Sequence, residues 1–259
     1  MSSSEFKLRA KDVLKTTYWM SFLAVIIYML LYSVGTGIGN TVRNLISGAS
    51  LDFSKYMEYV QDGDAESAME YVREVYYGNP VGSLIGSLVS VAVTIFLINV
   101  LSVGLNNVFV KARMRRSVDI SDLFGGFKSY MPVVKTMFFH SLYIFLWGLL
   151  FVIPGIVKSY SYFMVPYIMT ENPNLDTKRA FEISKTTMNG EKGNCFILSL
   201  SFIGWYLLGY LACCIGIYFV VPYHNAAMAE FYAYVKNKAI STGIASPSDF
   251  GEAAAPVTV

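Results

Sequence analysis

The sequence predicts an all-α protein: a polytopic membrane helix bundle of about six transmembrane helices in three hairpins, with amphipathic interfacial helices on the cytoplasmic side. Three observations predict it. Of 259 residues, 54% are hydrophobic and 15% charged, against about 45–50% and about 25% in an ordinary soluble domain. The apolar residues gather in blocks that approach the roughly 20 residues needed to cross a bilayer. The basic residues fall between alternate blocks, as they do in cytoplasmic loops.

The first span is expected at about 17–34. A basic leader precedes it, but no small-residue cleavage site stands out, so it reads as a retained span. The second is expected at about 81–110. The third covers about 133–153 and ends at Pro154-Gly155; the fourth, about 156–169, is short and carries Lys158, Ser159 and Ser161. The block 195–235 is too long for one span and splits near Cys213–Gly216, giving spans at about 195–213 and 216–235. Together these make one membrane domain over 1–240. Residues 241–259 are small and polar with two prolines, the composition of a disordered cytoplasmic tail.

Six spans place most of the 20 Lys and Arg residues on one side. Lys7, Arg9, Lys11 and Lys15 lie there, with the run Lys111 to Arg116, Lys128, Lys135, Lys178, Arg179, Lys185 and Lys192. Five spans would send Lys236 and Lys238 to the opposite side. Both termini are therefore expected in the cytoplasm, with the plasma membrane as host. The outer side receives the acidic segment 51–77, where Ala68, Met69, Val72 and Tyr76 form a helical stripe and Gly63 interrupts.

An amphipathic segment precedes each hairpin. The apolar faces are Phe6, Ala10, Val13 and Leu14; then Ile120, Leu123, Phe124 and Phe127 behind the cap residue Asp119; then Ala180, Phe181, Ser184 and Met188. Such helices can lie at a membrane interface. The hairpins also echo one another: Phe163-Met164-Val165-Pro166-Tyr167 against Phe219-Val220-Val221-Pro222-Tyr223, and Trp147 against Trp205. Similar apolar helices produce such matches by chance, and scaffolds as well as transporters contain repeats.

No catalytic or cofactor motif emerges. Two histidines, His140 and His224, exclude a histidine-rich metal site. Cys195, Cys213 and Cys214 form no Cys-x-x-Cys pair and read as small packing residues. The net charge of +2 gives no case for nucleic acid. Gly35-Thr36-Gly37-Ile38-Gly39 reads as a loose helix end rather than a nucleotide loop. Gly82 and Gly86 form a Gly-x-x-x-Gly pair suited to close helix packing. The basic run at Lys111 anchors topology and attracts anionic lipid.

Polar groups inside spans are costly in lipid. The candidate intramembrane site is His140, Pro222, Tyr223, His224, Asn225 and Glu230, with Pro166 and Tyr167 as the repeat counterpart. Asn106 and Asn107 lie low in span two. Pro222 removes a backbone donor, and a kink there could expose a polar pocket. The alternative is that these groups hydrogen-bond between helices and hold the bundle together. Glu230 reaches the interface or pairs with Lys236.

The run Phe202-Ile203-Gly204-Trp205-Tyr206-Leu207-Leu208, with Gly216, Pro222-Tyr223 and Ala229-Glu230-Phe231-Tyr232, resembles the bacterial membrane proteins of domain-of-unknown-function family 975. Leu123-Phe124…Phe127-Lys128 and Ala180-Phe181…Ser184-Lys185 are similar to its other characteristic stretches. The resemblance implies a bacterial plasma-membrane protein and supplies no reaction.

Three function classes follow. The first is a non-enzymatic protein that organises or binds membrane partners, or self-associates, through its amphipathic helices. The second is a transporter or permease for a small solute or lipid-like molecule, with its polar site near Pro222-His224-Asn225; it requires those residues to line a cavity. The third is a membrane enzyme, which requires polar groups converging at one membrane face. The first is the leading expectation.

Overall fold

The structure is a computed structural model that describes residues 1–47, 51–114, 116–211 and 215–252. It is all-α, with no strand among the described residues. The helices are α1 (Ser3–Ser47), α2 (Phe53–Gln61), α3 (Ala65–Tyr77), α4 (Pro80–Val93), α5 (Asn99–Arg113) and α6 (Tyr130–Leu150). They continue as α7 (Val152–Ser161), α8 (Val165–Glu171), α9 (Thr177–Thr187), α10 (Lys192–Leu200), α11 (Ile203–Leu211) and α12 (Ile215–Ser241). A π-helical turn, Thr94–Ile98, joins α4 to α5, and 3-10 segments cover Ile120–Ser129 and Pro247–Phe250.

Four helical stretches are long and apolar enough to cross a bilayer: Ser3–Ile46, Pro80–Arg113, Ile120–Leu150 and Lys192–Leu211. In each, only 22% of the most apolar window is buried inside the protein. Leu149, Val152, Ile153, Leu207, Leu208 and Leu211 stand in the open, an apolar surface that water does not tolerate at this extent. A membrane protein is the consistent class.

The described residues cluster in two compact units, Leu30–Ile98 and Met1–Met29 with Asn99–Val259, where the sequence predicts one domain over 1–240. In the smaller unit, Asp52 caps α2 through the Ser54 and Lys55 amides, and Asp64 caps α3 through Ser67. Between them Gly63 takes a left-handed φ of 72°, which favours glycine. Asn79 caps α4, with Pro80 in its first turn. Ala68 and Val75 are buried here, whereas Met69, expected on the same stripe, is exposed; the side chain of Tyr76 lies outside the described residues.

The 35–39 glycines are not a helix end, because α1 continues to Ser47. Instead Gly39 meets Gly86: a Cβ on Gly86 would lie 2.6 Å from the Gly39 carbonyl oxygen. The Gly-x-x-x-Gly pair thus packs within the chain.

The larger unit has its core around the C-terminal half of α12, where residues Ala226 to Ala233 are all buried. Phe6 and Ala10 of α1 are buried, as are Val103, Val108 and Phe109 of α5, and Ala180, Ile183 and Met188 of α9. Phe6 sits edge-on to Phe231 at 5.4 Å. The first and third amphipathic faces therefore pack on protein rather than on lipid. Of the second face, Leu123 is buried and Phe124 exposed.

The expected fourth span is broken. Helices α7 and α8 have 10 and 7 residues, about 15 Å and 10 Å long, and each falls short of a bilayer. Nor does the proline repeat share one local structure: Pro166 opens α8, while Pro222 lies inside the continuous α12. Residues 242–252, expected in a disordered tail, form the Pro247–Phe250 segment with Phe250 buried. Residues 253–259, the 212–214 stretch with Cys213 and Cys214, and Arg115 lie outside the described residues.

Candidate functional site

Helix α5 carries Asn99, Ser102 and Asn106 at i, i+3 and i+7, one face of an α-helix. Helix α6 presents Met137, His140, Ser141, Ile144 and Phe145 opposite them. Ser159 of α7, Phe163, then Pro166 and Tyr167 of α8 form a further side, and His224, Asn225 and Met228 of α12 complete it. These residues surround an open groove of about 640 Å³. Among the described residues lining it, none is a Lys, Arg, Asp or Glu.

The polar groups are held by neighbours. Asn99 Nδ2 donates to Ser141 Oγ at 3.0 Å, and Ser102 Oγ donates to the Asn99 carbonyl. Asn225 Nδ2 donates to the Val221 carbonyl at 3.1 Å, one turn back. His140 hydrogen-bonds the backbone of Tyr162. His224 Nδ1 meets Tyr206 Oη at 3.0 Å, while its buried Nε2 has no hydrogen-bond partner among the described residues.

Five of the eight expected site residues line the groove: His140, Pro166, Tyr167, His224 and Asn225. The other three do not. Pro222 is buried. Tyr223 turns toward Phe202 and Trp205, with ring centroids at 5.1 and 6.1 Å. Glu230 lies two turns further along α12 and pairs with Arg113 at 3.3 Å, not with Lys236. The sequence reading missed Asn99, Ser102, Ser141 and Ser159. The polar stripe of α5 carried a signal for the first two, since Asn99, Ser102 and Asn106 share one face of the helix.

Beyond the groove, in the same unit, several basic residues are compensated internally. Lys111 pairs with Asp122, Lys238 with Glu191 at 2.6 Å and Arg179 with Asp249 at 3.0 Å. Burial pushes the Asp249 carboxyl up, but hydrogen bonds from Arg179 and Ser246 outweigh it and hold the group below its ordinary value. The Glu191 hydrogen bond likewise holds Lys238 above its own. The run at Lys111 thus builds an ion-pair base, and Lys111 and Arg113 are not simply offered to lipid.

Among the described residues no cluster of three or more His, Cys, Asp or Glu could hold a metal ion. The uncharged groove offers hydrogen-bond donors and acceptors interspersed with methyl and aromatic surface. It can bind and orient a neutral molecule.

No curated protein and no solved structure matches the chain. One family model does, that of "Protein of unknown function (DUF975)", over residues 149–239. The matched stretch holds Pro166, Tyr167, His224 and Asn225 but not the Leu123–Lys128 segment, and over it the chain is similar to the DUF975 family.

Proposed function

We propose that this is a non-enzymatic multi-pass membrane protein that binds a small, uncharged amphiphilic molecule in the α5–α6–α8–α12 groove, as a carrier or permease does. The observation that carries this reading is the convergence of His140, Pro166, Tyr167, His224 and Asn225 on one open groove. A volume of about 640 Å³ falls in the ordinary range for small-molecule sites, about 300–1,000 Å³. A lining without ionised groups disfavours a charged ligand, which would enter without a counter-charge.

The partner-organising reading loses support by the same standard. It relies on amphipathic helices as docking surfaces, and the apolar faces at Phe6 and Ala10 and at Ala180 and Met188 are already buried.

In this proposal the chain crosses a bacterial plasma membrane six times as three helix pairs, with both termini cytoplasmic. The broken α7–α8 unit supplies the fourth crossing, sheltered by its neighbours. Close glycine contacts support the pairing: Gly39 on Gly86, Gly155 on Gly148, and Gly209 on Gly216.

The test is a membrane-impermeant thiol label. Cys195, Cys213 and Cys214 are replaced, single cysteines are placed by Asn225→Cys or His140→Cys, and intact cells and inside-out vesicles are labelled. Labelling at either position from one side or the other is the expected result. No labelling from either side, while an Asp62→Cys control reacts in intact cells, means a dry bundle and removes the carrier reading.

A further inference from the structure

Two helices line the groove and then run on together beyond it. Helix α8 presents Pro166 and Tyr167 to the groove and ends at Glu171; α12 presents His224, Asn225 and Met228, then continues to Tyr232 and Lys236. Just past the groove the two helices are clamped. The Tyr167 and Tyr232 rings stack at 4.7 Å with 17° between their planes. Tyr232 Oη donates to Glu171 Oε2 at 2.5 Å. Lys236 Nζ lies 2.8 Å from both Glu171 oxygens.

The segment 246–252 completes this clamp from outside. Glu252 Oε1 accepts from Lys236 Nζ at 2.8 Å, and the Phe250 ring lies under the same ammonium at 4.9 Å. Gly251 takes a left-handed φ of 70°, and a Cβ there would stand 2.7 Å from the Glu171 carbonyl oxygen. The segment is tied down elsewhere by Arg179, which holds both Asp249 oxygens and the Ile244 carbonyl. Asn172 Nδ2 donates to the Ser248 and Asp249 carbonyls.

Lys236 and Glu171 each keep only 8% of their side chains exposed, whereas Glu252 keeps 51%. The contact with Glu252 is therefore the outermost and the easiest to lose. A cavity of about 370 Å³ adjoins it, lined by Asn107, Lys111, Thr170, Phe250 and Glu252 among others. The segment thus has space beside it in which to move.

We infer that residues 246–252 are a latch that holds α8 against α12 and so controls access to the groove. With the latch seated, the inner Lys236–Glu171 pair is largely shielded from water and the helices stay together. With it released, water reaches the pair, its attraction falls in the higher dielectric, and the two helices can part where they leave the groove. This inference rests on the groove being a binding site.

The test uses the full chain with Asn225→Cys as the groove reporter, comparing the intact latch with Glu252→Gln and with Phe250→Ala. A second background keeps only the buried Cys195 to report general unfolding. The expected result is that Glu252→Gln labels at Asn225→Cys about tenfold faster, the shift that follows from losing one charge-assisted contact, and that Phe250→Ala, which loses the ring under the same ammonium, also labels faster, while Cys195 stays unreactive. Equal rates with intact and altered latch leave the groove reading standing and overturn the latch. Faster labelling at Cys195 in parallel means the fold has loosened, and also overturns it. No labelling at Asn225→Cys in any variant, with the Asp62→Cys control reacting, overturns the groove reading itself.

Discussion

Glu230 stands two residues past Met228, the last groove residue of α12, and Arg113 of α5 answers its charge. Glu230 and Lys236 are six residues apart on α12, about 120° away from sharing a face, so the pairing expected from the sequence was not open to them. The true partner comes from more than a hundred residues earlier, a contact that spacing does not reveal. The two sides of the pair are unequal: Glu230 keeps 6% of its side chain exposed and Arg113 keeps 30%. Removing Arg113 strands a buried carboxylate, while removing Glu230 leaves a guanidinium that can turn to water. Arg113→Ala is therefore expected to cost about 3 kcal/mol or more, and Glu230→Ala about 1–2 kcal/mol. Thermal unfolding of both variants in one detergent checks the order. A larger loss from Glu230→Ala would contradict this account. The groove residues were easier to find, since His140, His224 and Asn225 are conspicuous in apolar helices. Ser141 and Ser159 were not, because a lone serine in an apolar helix satisfies itself on the preceding turn, as Ser159 Oγ does on the Ile156 carbonyl.

At the scale of elements, close approaches are made where glycine removes the side chain. The tightest lies between α5 and the 3-10 segment Ile120–Ser129, where a Cβ on Gly104 would fall 1.7 Å from the Leu123 carbonyl oxygen. The obstacle is backbone, so it cannot rotate away. Gly104→Ala is expected to destabilise by about 1–3 kcal/mol. Gly204 in α11 has nothing within 4 Å of such an atom, and Gly204→Ala should be neutral or stabilise by up to about 1 kcal/mol. Melting curves that moved alike for the two would contradict the packing described. The long apolar helices at 17–34 and 81–110 were legible because length and hydropathy are properties of a single segment. The break at Tyr162–Met164 was not, since it depends on Ser184 of α9. Ser184 Oγ donates to the Ser161 carbonyl at 2.8 Å and accepts from the Met164 amide at 3.2 Å. Residues 242–252 were misread for a related reason: their composition is that of a tail, and only Arg179, Asn172 and Lys236 make them part of the fold.

Taken whole, the larger unit is uneven. Its apolar helices expose their sides, while residues 226–233 of α12 are all buried by other parts of the chain. Hydrogen exchange in detergent should therefore leave amides at 226–239 among the last to exchange, well after those of α7, whose surroundings are open. Early exchange at 226–239 would mean that this core is not the stable part of the molecule. Composition made the membrane class legible; which face of each helix meets protein was not, because lipid and a protein interior favour the same side chains. The enclosure of α12 also has a consequence for biosynthesis. Phe6 leaves the ribosome early, and the ring it packs on, Phe231, follows about 225 residues later. At about 5–20 residues per second that is roughly 10–45 s. Through that interval Arg113 is already made and its partner Glu230 is still to come. The nascent chain must be kept from pairing with other polypeptides until its own central helix arrives.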